Sequence, residues 1–333
     1  MASDAFNILI SAAGRRVGLM QAFRETLAAL GLKGALYAGE ISRLSSAGQL
    51  ADQLIEVPRC TSDAFIPEML ALSARHGIKL IIPTIDTELP VYAAHREAFQ
   101  AIGCEVPISS PEAIRIASDK RETHAFLMAK DLPTVAQGEV EDVLADPARF
   151  AFPLLVKPTR GSSSIGISIV HHADALRLAG KDRDVVVQTL ATGEEYTVSV
   201  LVDAHGRALC AVPRKRLEVR HGEVSKGLTV RAAGLEDVAK RCCEALPGAF
   251  GPMNVQIFWD QATDTYRIIE INARFGGGFP LAYKAGADYP RWIVEACLGL
   301  PSTATATGWR DGLLMLRYDD AVYLDAADAG IAS

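Results

Sequence analysis

The hydrophobic pattern of the N-terminal third alternates between two periods. Short apolar runs at Phe6–Ile10, Gly34–Ala38 and Lys79–Pro83 are typical of buried strands. Amphipathic segments at Val17–Leu30 and Phe65–His76 lie between them and are typical of helices. Strands that alternate with helices predict an open parallel sheet with covering helices, and such sheets bind ligands at the carboxyl ends of their strands.

Two loops stand at those predicted strand ends. The first, Ser11–Arg16, lacks the G-x-G-x-x-G pattern, which disfavours a dinucleotide-binding dehydrogenase. Arg15 and Arg16 begin the following helix and could bind an anionic substrate group, although a solvated pair is an equally good interpretation.

The second loop, Pro83–Glu88, carries two carboxylates. Asp86 and Glu88 could recognise an amine, or they could cap the helix that is predicted to begin near Leu89. Capping is the slightly favoured interpretation.

The middle of the chain begins with two predicted helices, Glu112–Ala117 and Lys120–Lys130. Ser118 and Asp119 lie between these helices and are the candidate caps.

A predicted hairpin with a small, polar loop follows. Strands at Leu154–Lys157 and Gly166–Val170 enclose the loop, whose backbone N–H groups and serines Ser162, Ser163 and Ser164 suit triphosphate oxygens. Lys157 and Arg160 would supply positive charge. The loop is not a Walker A motif, because it has no G-K-[ST] and no helix follows. We expect it to close over bound phosphates.

The next strand, Val185–Val187, leads into the connector Gln188–Leu190. Thr189 lies within this connector, whose backbone could read an adenine ring, and Glu195 beyond it could accept the ribose hydroxyls.

Residues Gly251–Gly278 predict a hairpin with one polar face. Apolar and polar residues alternate over 254–259 and over Tyr266–Asn272, and the polar run Asp260–Thr265 turns the chain between them.

Glu270 and Asn272 share a face of the returning strand, and Gln256 could meet them from its partner. Carboxylate and amide oxygens are hard ligands that suit Mg²⁺ or Mn²⁺. Arg274, at the end of the strand, could hold an anion that the metal also holds. The pattern therefore predicts a metal–nucleotide site.

The acceptor side of the predicted site is less defined. Residues 213–227 concentrate cations, of which Arg214 and Lys226 are candidate substrate contacts; a charged, exposed hairpin is the alternative. Gly277 and Gly278 allow close backbone approach and could shape a substrate pocket.

Composition narrows the class of protein. The chain has 333 residues, of which 49% are hydrophobic and 22% charged, as expected for a globular protein with two or three subdomains. The net charge of −6 argues against a nucleic-acid partner. We also expect no membrane span, because no long apolar run occurs. Scattered cysteines and the lack of a visible secretory leader favour a cytoplasmic protein.

The order of these motifs resembles the ATP-grasp superfamily, and most closely one synthetase half of the carbamoyl-phosphate synthase large subunit. The resemblance covers about residues 1–300 and rests on the sequence of motifs: Lys120, Lys157 with its loop, Gln188 to Tyr196, Asn254-Val-Gln256 and Glu270-x-Asn272-x-Arg274. Two departures are Ala273, where a proline is usual, and Thr189, where a glutamate is frequent.

The resemblance implies an α/β fold with α+β lobes. It consists of an N-terminal Rossmann-like pre-ATP-grasp domain (1–110), linker helices with a lid (111–186, the lid from about 132), and a C-terminal catalytic lobe (187–333). Lys120 and Lys157 would contact ATP phosphates, and Gln256, Glu270 and Asn272 would hold the metal. Arg274 would stabilise the transferred phosphoryl group, with Lys157 and Asn272 as the other catalytic residues.

The implied reaction is the ATP-dependent joining of a small-molecule carboxylate to an amine through an acyl phosphate, releasing ADP and phosphate. Two alternatives stay open: a carboxylate or carbamate kinase, and a nucleotide-binding regulatory module without turnover. A homodimer is also left open.

Overall fold

The computed structural model describes residues 5–146, 148–161, 166–220 and 222–327. Its strands form two four-stranded sheets and one six-stranded sheet. The three sheets follow one another along the chain, in the order expected for an N-terminal domain, a lid and a catalytic lobe.

The N-terminal sheet is parallel, with strand order β3-β2-β1-β4. Its elements are β1 (Asn7–Ser11), α1 (Val17–Ala29), β2 (Leu36–Glu40), α2 (Ser46–Gln49), β3 (Gln53–Glu56), α3 (Phe65–His76), β4 (Ile78–Pro83) and α4 (Leu89–Ala101). The predicted parallel sheet is therefore confirmed, although β3 and α2 were not predicted. The carboxyl ends of β1 and β4 are joined because the Thr84 hydroxyl bonds the carbonyl oxygens of Ser11 (3.0 Å) and Ala12 (2.6 Å).

Two linker helices follow, α5 (Pro111–Ser118) and α6 (Lys120–Ala129). Asp119 caps α6 as predicted, because its carboxylate accepts the Arg121 N–H at 2.9 Å. The prediction that Ser118 caps a helix is wrong: its hydroxyl donates to the carbonyl of Arg115, and Ser110 caps α5.

The lid sheet is antiparallel, with order β5-β8-β6-β7. Its elements are β5 (Gln137–Gly138), α7 (Val140–Ala145), β6 (Leu154–Pro158), β7 (Ser168–Val170), α8 (Ala173–Gly180) and β8 (Val185–Thr189). The predicted hairpin is confirmed, with its second strand beginning at Ser168. The lid packs its helices against a small apolar cluster of its own, which includes Phe150, Leu154 and Leu176.

The six-stranded sheet has the order β13-β12-β9-β10-β11-β14. Its elements are β9 (Glu194–Val202), β10 (Ala208–Arg220), β11 (Glu223–Thr229), α9 (Ala233–Ala245), β12 (Gly251–Asp260), β13 (Thr265–Asn272), α10 (Phe279–Lys284), α11 (Tyr289–Cys297) and β14 (Leu314–Leu316). The hairpin predicted from the alternation at 254–272 is confirmed as β12 and β13, with a bulge after Gln256.

The N-terminal sheet and the six-stranded sheet share their cores. One apolar cluster contains Leu9 and Ile81 together with Val198 and Val255, and a second joins Ile10 to residues of the C-terminal lobe such as Trp292. This shared packing holds the loops after β1 and β4 against the polar face of the large sheet. Within the described ranges, no helix has the length and apolar character needed to cross a membrane.

Candidate active site

A row of polar side chains crosses the six-stranded sheet. Arg214 pairs with Thr197, Thr197 with Gln256, and Gln256 with Glu270. Residues directly opposite each other on neighbouring antiparallel strands share a face of the sheet. All four side chains therefore project from the same face, where they line a cavity of about 430 Å³.

A second pair, Asn254 and Asn272, lies one pleat further along the same strands. The Asn254 amide donates to the carbonyl of Arg274 at 2.6 Å and accepts the Ser199 hydroxyl at 3.0 Å. Asn254 therefore braces the strand end that carries Arg274, a role that sequence reasoning did not assign.

Arg274 forms a bidentate ion pair with Asp86 from the loop after β4. Its Nε and Nη2 donate to the two carboxylate oxygens at 2.8 and 2.7 Å, and Nη2 also lies 3.2 Å from Asn272 Oδ1. The pair couples the N-terminal domain to the end of β13. Asp86 also lines a second cavity of about 280 Å³, which shares Glu270 and Asn272 with the first.

Lys157 and Lys120 lie beside Glu270. Burial lowers the pKa of Lys157 to about 8, while the Glu270 carboxylate favours its charged form and Lys120 opposes it. Lys120 donates to the Gly161 carbonyl at 3.1 Å and lines the second cavity. Arg160 lines the same cavity but is exposed, and it pairs with Asp119 at 3.1 Å.

Glu195 and Arg216 form the next row toward the solvent. Their side chains make an ion pair at 3.2 Å, without the alignment of a hydrogen bond. Burial raises the pKa of the Glu195 carboxyl, against the opposing charge of Arg216. The sequence presents Arg216 only as one of several cations in residues 213–227, and nothing near it indicates a pairing with Glu195.

Arg214 is 3% exposed and bonds Asn254 Oδ1 through Nη2 at 3.0 Å. A side chain at Gly278 would overlap Nη1 of this arginine, and one at Gly277 would meet the Glu223 carboxylate at 2.7 Å. The two glycines therefore leave room for charged groups that belong to other strands, as well as lining the cavity.

Arg16 lines the first cavity at the start of α1, whereas its exposed neighbour Arg15 lines only a smaller adjoining cavity of about 170 Å³, which Arg16 also lines. Burial lowers the pKa of Arg16, and the charge of Arg274 lowers it further. Glu223 faces the same cavity and bonds Arg317 at 2.9 Å. Glu223 was missed because a lone glutamate in a charged hairpin gives no sequence signal.

Three family matches cover most of this architecture. Residues 8–107 match the PylC-like N-terminal domain, residues 126–218 the D-ala D-ala ligase C-terminus, and residues 181–320 the ATP-grasp family of a biosynthetic pathway with the Ter operon. The match at residues 181–320 is to an ATP-grasp family, in agreement with the superfamily that the order of motifs predicts.

Curated relatives of the chain include D-alanine–D-alanine ligases. The chain is 28% identical over 228 residues to the enzyme of Gluconobacter oxydans, covering 59% of this chain and 73% of that one. It is 30% identical over 203 residues to the enzyme of Chromohalobacter salexigens, covering 53% and 61%. The second match spans less than two thirds of the relative. The relatives are ligases, in agreement with the enzyme class that the sequence predicts.

Solved structures of the same fold superpose over nearly the whole chain. The biotin carboxylase domain of Hydrogenobacter thermophilus 2-oxoglutarate carboxylase, solved with MgADP and bicarbonate, gives a TM-score of 0.72 at 16% identity, covering 93% of this chain and 74% of that one. The L-amino acid ligase of Bacillus licheniformis gives 0.67 at 18% identity, covering 92% and 77%. These neighbours confirm the predicted fold: an N-terminal domain followed by a two-lobed ATP-grasp unit.

Several predicted site residues lie away from the two cavities. Glu88 is 2% exposed and accepts the Ser11 hydroxyl (2.6 Å) and the Thr84 N–H (2.6 Å). The prediction that Asp86 or Glu88 caps α4 is wrong, because Asp86 pairs with Arg274 and the Glu88 side chain makes no capping bond. Burial raises the pKa of Glu88 to about 7.

Lys226 points away from the cavity and pairs with Glu218 at 2.6 Å. Gln188 is buried against Gln137, to which it donates at 2.6 Å, and Thr189 continues β8. The 38% exposed Leu190 follows. These residues line neither cavity. Ser162, Ser163 and Ser164 lie outside the described residues.

The donor set of the predicted metal site fits Mg²⁺. In the described parts of the chain, Glu270 has no ion pair within the protein and Gln256 has no hydrogen-bond partner for its side chain, so both are free to accept a ligand. No cluster of three His, Cys, Asp or Glu side chains occurs there. One carboxylate with two amide oxygens suits an ion that takes its remaining ligands from water and substrate phosphates.

Proposed function

We propose that this protein is an ATP-dependent carboxylate–amine ligase. The observation that carries the proposal is the meeting of three features at one point. Glu270 and Asn272 line both cavities and face the buried Lys157 of the lid and the partly buried Lys120 of the linker, and Arg274 stands beside them in the first cavity.

Adenosine triphosphate would lie between the lid sheet and the six-stranded sheet. Lys120 and Lys157 would bind its phosphates, because ammonium groups that are partly or fully shielded from solvent bind phosphate oxygens strongly. Glu195 would accept the ribose hydroxyls, with the backbone of Gln188–Leu190 along the adenine. Arg160 and the loop that contains Ser162–Ser164 would cover the phosphates.

Mg²⁺ would be held by Glu270, Asn272 and Gln256. When bound, it neutralises charge on the β- and γ-phosphates during transfer. Mn²⁺ has the same preference for oxygen ligands and could replace it.

The chain's own residues then define the reaction. A substrate carboxylate attacks the γ-phosphoryl group, and Arg274 stabilises the negative charge that spreads over the transferred group. An amine displaces phosphate from the resulting acyl phosphate, which gives an amide. Asp86 would lie within reach of that amine, and Arg16 and Arg214 within reach of carboxylate groups. Glu88 and Lys226 have no direct role in this proposal.

The test is nucleotide binding followed by turnover. Saturating Mg²⁺–ADP should stabilise the protein by about 2.7 kcal/mol at a hundredfold excess over its dissociation constant, and so raise the melting temperature. A screen of small carboxylates and amines should then yield a pair that releases ADP and forms an amide detectable by mass.

The outcomes separate the candidate functions. ADP release that needs only the carboxylate would indicate a kinase. Nucleotide binding without turnover for any pair would favour the regulatory module, and the absence of binding would contradict the ATP-grasp site. The three-part division at 110 and 186, the homodimer and a cytoplasmic location stay predictions; size in solution and cell fractionation test the last two.

A further inference from the structure

Arg214 is a buried cation without a counter-charge. Among the described residues it forms no ion pair, and its only hydrogen bond is the one from Nη2 to Asn254. Its Nε is buried without a partner. Burial lowers the pKa of Arg214 to about 10, with Arg216 contributing, so the group is still a cation at neutral pH. An unpaired buried charge strongly destabilises a folded protein, and it is tolerated where a ligand supplies the opposite charge.

Three of the four carboxylates that line the same cavity already form ion pairs with other arginines. Asp86 pairs with Arg274, Glu195 with Arg216, and Glu223 with Arg317. Glu270 is the neighbour of the two phosphate-binding lysines. The negative charge that Arg214 lacks must therefore come from a molecule in the cavity.

Arg214 is far from the position proposed for the triphosphate. It stands three strands from Glu270 along one row of the sheet. Neighbouring strands are about 4.8 Å apart, so the two backbones are separated by roughly 14 Å. The lysines lie at the Glu270 end of this row. The anion at Arg214 is consequently a different group from the phosphates of the nucleotide.

We infer that Arg214 binds a carboxylate that does not react, so that one of the two substrates carries an acid group besides the one that is phosphorylated. The guanidinium and the neighbouring Thr197 hydroxyl, on the same row, suit the two oxygens of a carboxylate. This inference rests on the proposed ligase function. The extra carboxylate belongs either to an amino-acid acceptor or to a dicarboxylic acyl substrate.

The test compares the affinity of the 333-residue protein for free acids with its affinity for the corresponding amides. Calorimetric titrations with and without Mg²⁺–ADP use two series of probes. The first series tests the acceptor and compares D- and L-alanine with D- and L-alaninamide. The second series tests the acyl substrate and compares succinate and glutarate with their monoamides. In one series the acid should bind on the order of 10- to 100-fold more tightly than its amide, because the amide leaves the cation unpaired. The series that shows this preference identifies which of the two substrates carries the extra carboxylate.

The Arg214→Gln variant should reduce this preference to near unity while Mg²⁺–ADP still raises its melting temperature. Arg214→Lys, which retains the charge, should keep part of the preference. Arg220→Gln is the matched control, because this exposed arginine lies on the same strand and should leave the preference unchanged. If Arg214→Gln does not fold, acetate competition on the wild-type protein replaces it: acetate should weaken binding of the acid and not of the amide.

Equal affinity for acid and amide in both series would overturn the inference, as would a preference that survives in Arg214→Gln. Failure of the protein to bind Mg²⁺–ADP would instead count against the proposed function, and the titrations without nucleotide would still decide whether the carboxylate site exists.

Discussion

Lys157 lies on the lid sheet and Glu270 on the six-stranded sheet, and their opposite charges are neighbours in a region that is largely shielded from solvent. Lys157 is 4% exposed and has no hydrogen bond from its ammonium group to any described residue. Burial disfavours its charged form, and the Glu270 carboxylate only partly compensates. A buried, incompletely paired ammonium group binds an anionic ligand more strongly than a solvated one does. Substitutions of Lys157 and Glu270 should therefore separate nucleotide binding from catalysis.

We predict that nucleotide affinity falls with rising pH because of Lys157. Its pKa of about 8 in the free protein leaves it protonated at neutral pH, and bound phosphates should raise that pKa further. Above about pH 8, binding must therefore take up a proton, and affinity should fall by up to about tenfold per pH unit. Calorimetry of Mg²⁺–ADP binding between about pH 7 and pH 9 measures this. Lys157→Met should bind more weakly with no such slope; a wild-type affinity that is constant over the range would contradict the assignment.

We predict that Glu270→Gln lowers turnover by about 10²–10³ while changing nucleotide affinity much less. The substitution keeps size and hydrogen bonding but removes the charge that would hold the metal against the transferred phosphoryl group, and one preorganised electrostatic contact is worth about that much. Steady-state ADP release by the substrate pair found in the screen is the measurement. Glu68→Gln, on the exposed face of α3, is the control and should leave turnover unchanged. Near wild-type turnover in Glu270→Gln would show that this face is not catalytic.

At the scale of elements, the site depends on how β9 enters the large sheet. Gly193 precedes β9 with a φ of +89°, and a Cβ there would overlap the backbone of Trp259 on β12. The close approach sets the register that places Glu195 opposite Phe258 and Thr197 opposite Gln256. A glycine in this connection therefore aligns the row of polar side chains.

We predict that Gly193→Ala is clearly more destabilising than Gly206→Ala. Both glycines have positive φ, but a side chain at Gly206, with φ +77°, would meet no atom within 4 Å. Gly206→Ala should cost roughly 1–2 kcal/mol from backbone conformation alone. Gly193→Ala should add about 1–3 kcal/mol of steric conflict. Urea unfolding followed by fluorescence gives both values, and similar midpoints for the two variants would show that β9 can shift without cost.

At the scale of the whole molecule, the N-terminal domain completes the candidate site. Its sheet shares two apolar cores with the C-terminal lobe, and its loop after β4 carries Asp86 to Arg274. The lid, by contrast, has a separate apolar cluster. A site divided in this way can keep the Arg274 side rigid while the lid changes position over the nucleotide.

We predict that Asp86→Asn lowers turnover by about 10- to 100-fold without weakening Mg²⁺–ADP binding. The change removes a charge-assisted, bidentate partner that orients Arg274 toward Asn272. Asp86→Glu should recover part of the turnover because it restores the charge. The comparison uses ADP release and calorimetry on the same preparations. If nucleotide affinity falls as much as turnover, Asp86 serves general stability and not the orientation of Arg274.

Sequence alone was sufficient where the chemistry is local. The alternation in β12 and β13 placed Glu270 and Asn272 on one face, because side chains two residues apart on a strand always share a face. The parallel N-terminal sheet, the cap at Asp119 and the superfamily were predicted from short segments and their order. Each of these depends on neighbours in sequence or on fixed periods.

Tertiary structure decided which charges meet and which are buried. Asp86 and Arg274 are separated by 188 residues, and nothing near either one indicates the pairing. Glu88 turns inward to hold its own loop, Lys226 turns outward to Glu218, and Arg214, from the same charged hairpin, is buried. The residue type determines which charge a side chain can carry. Its solvation and its partners depend on what the fold packs above the strand, which only the complete arrangement of sheets determines.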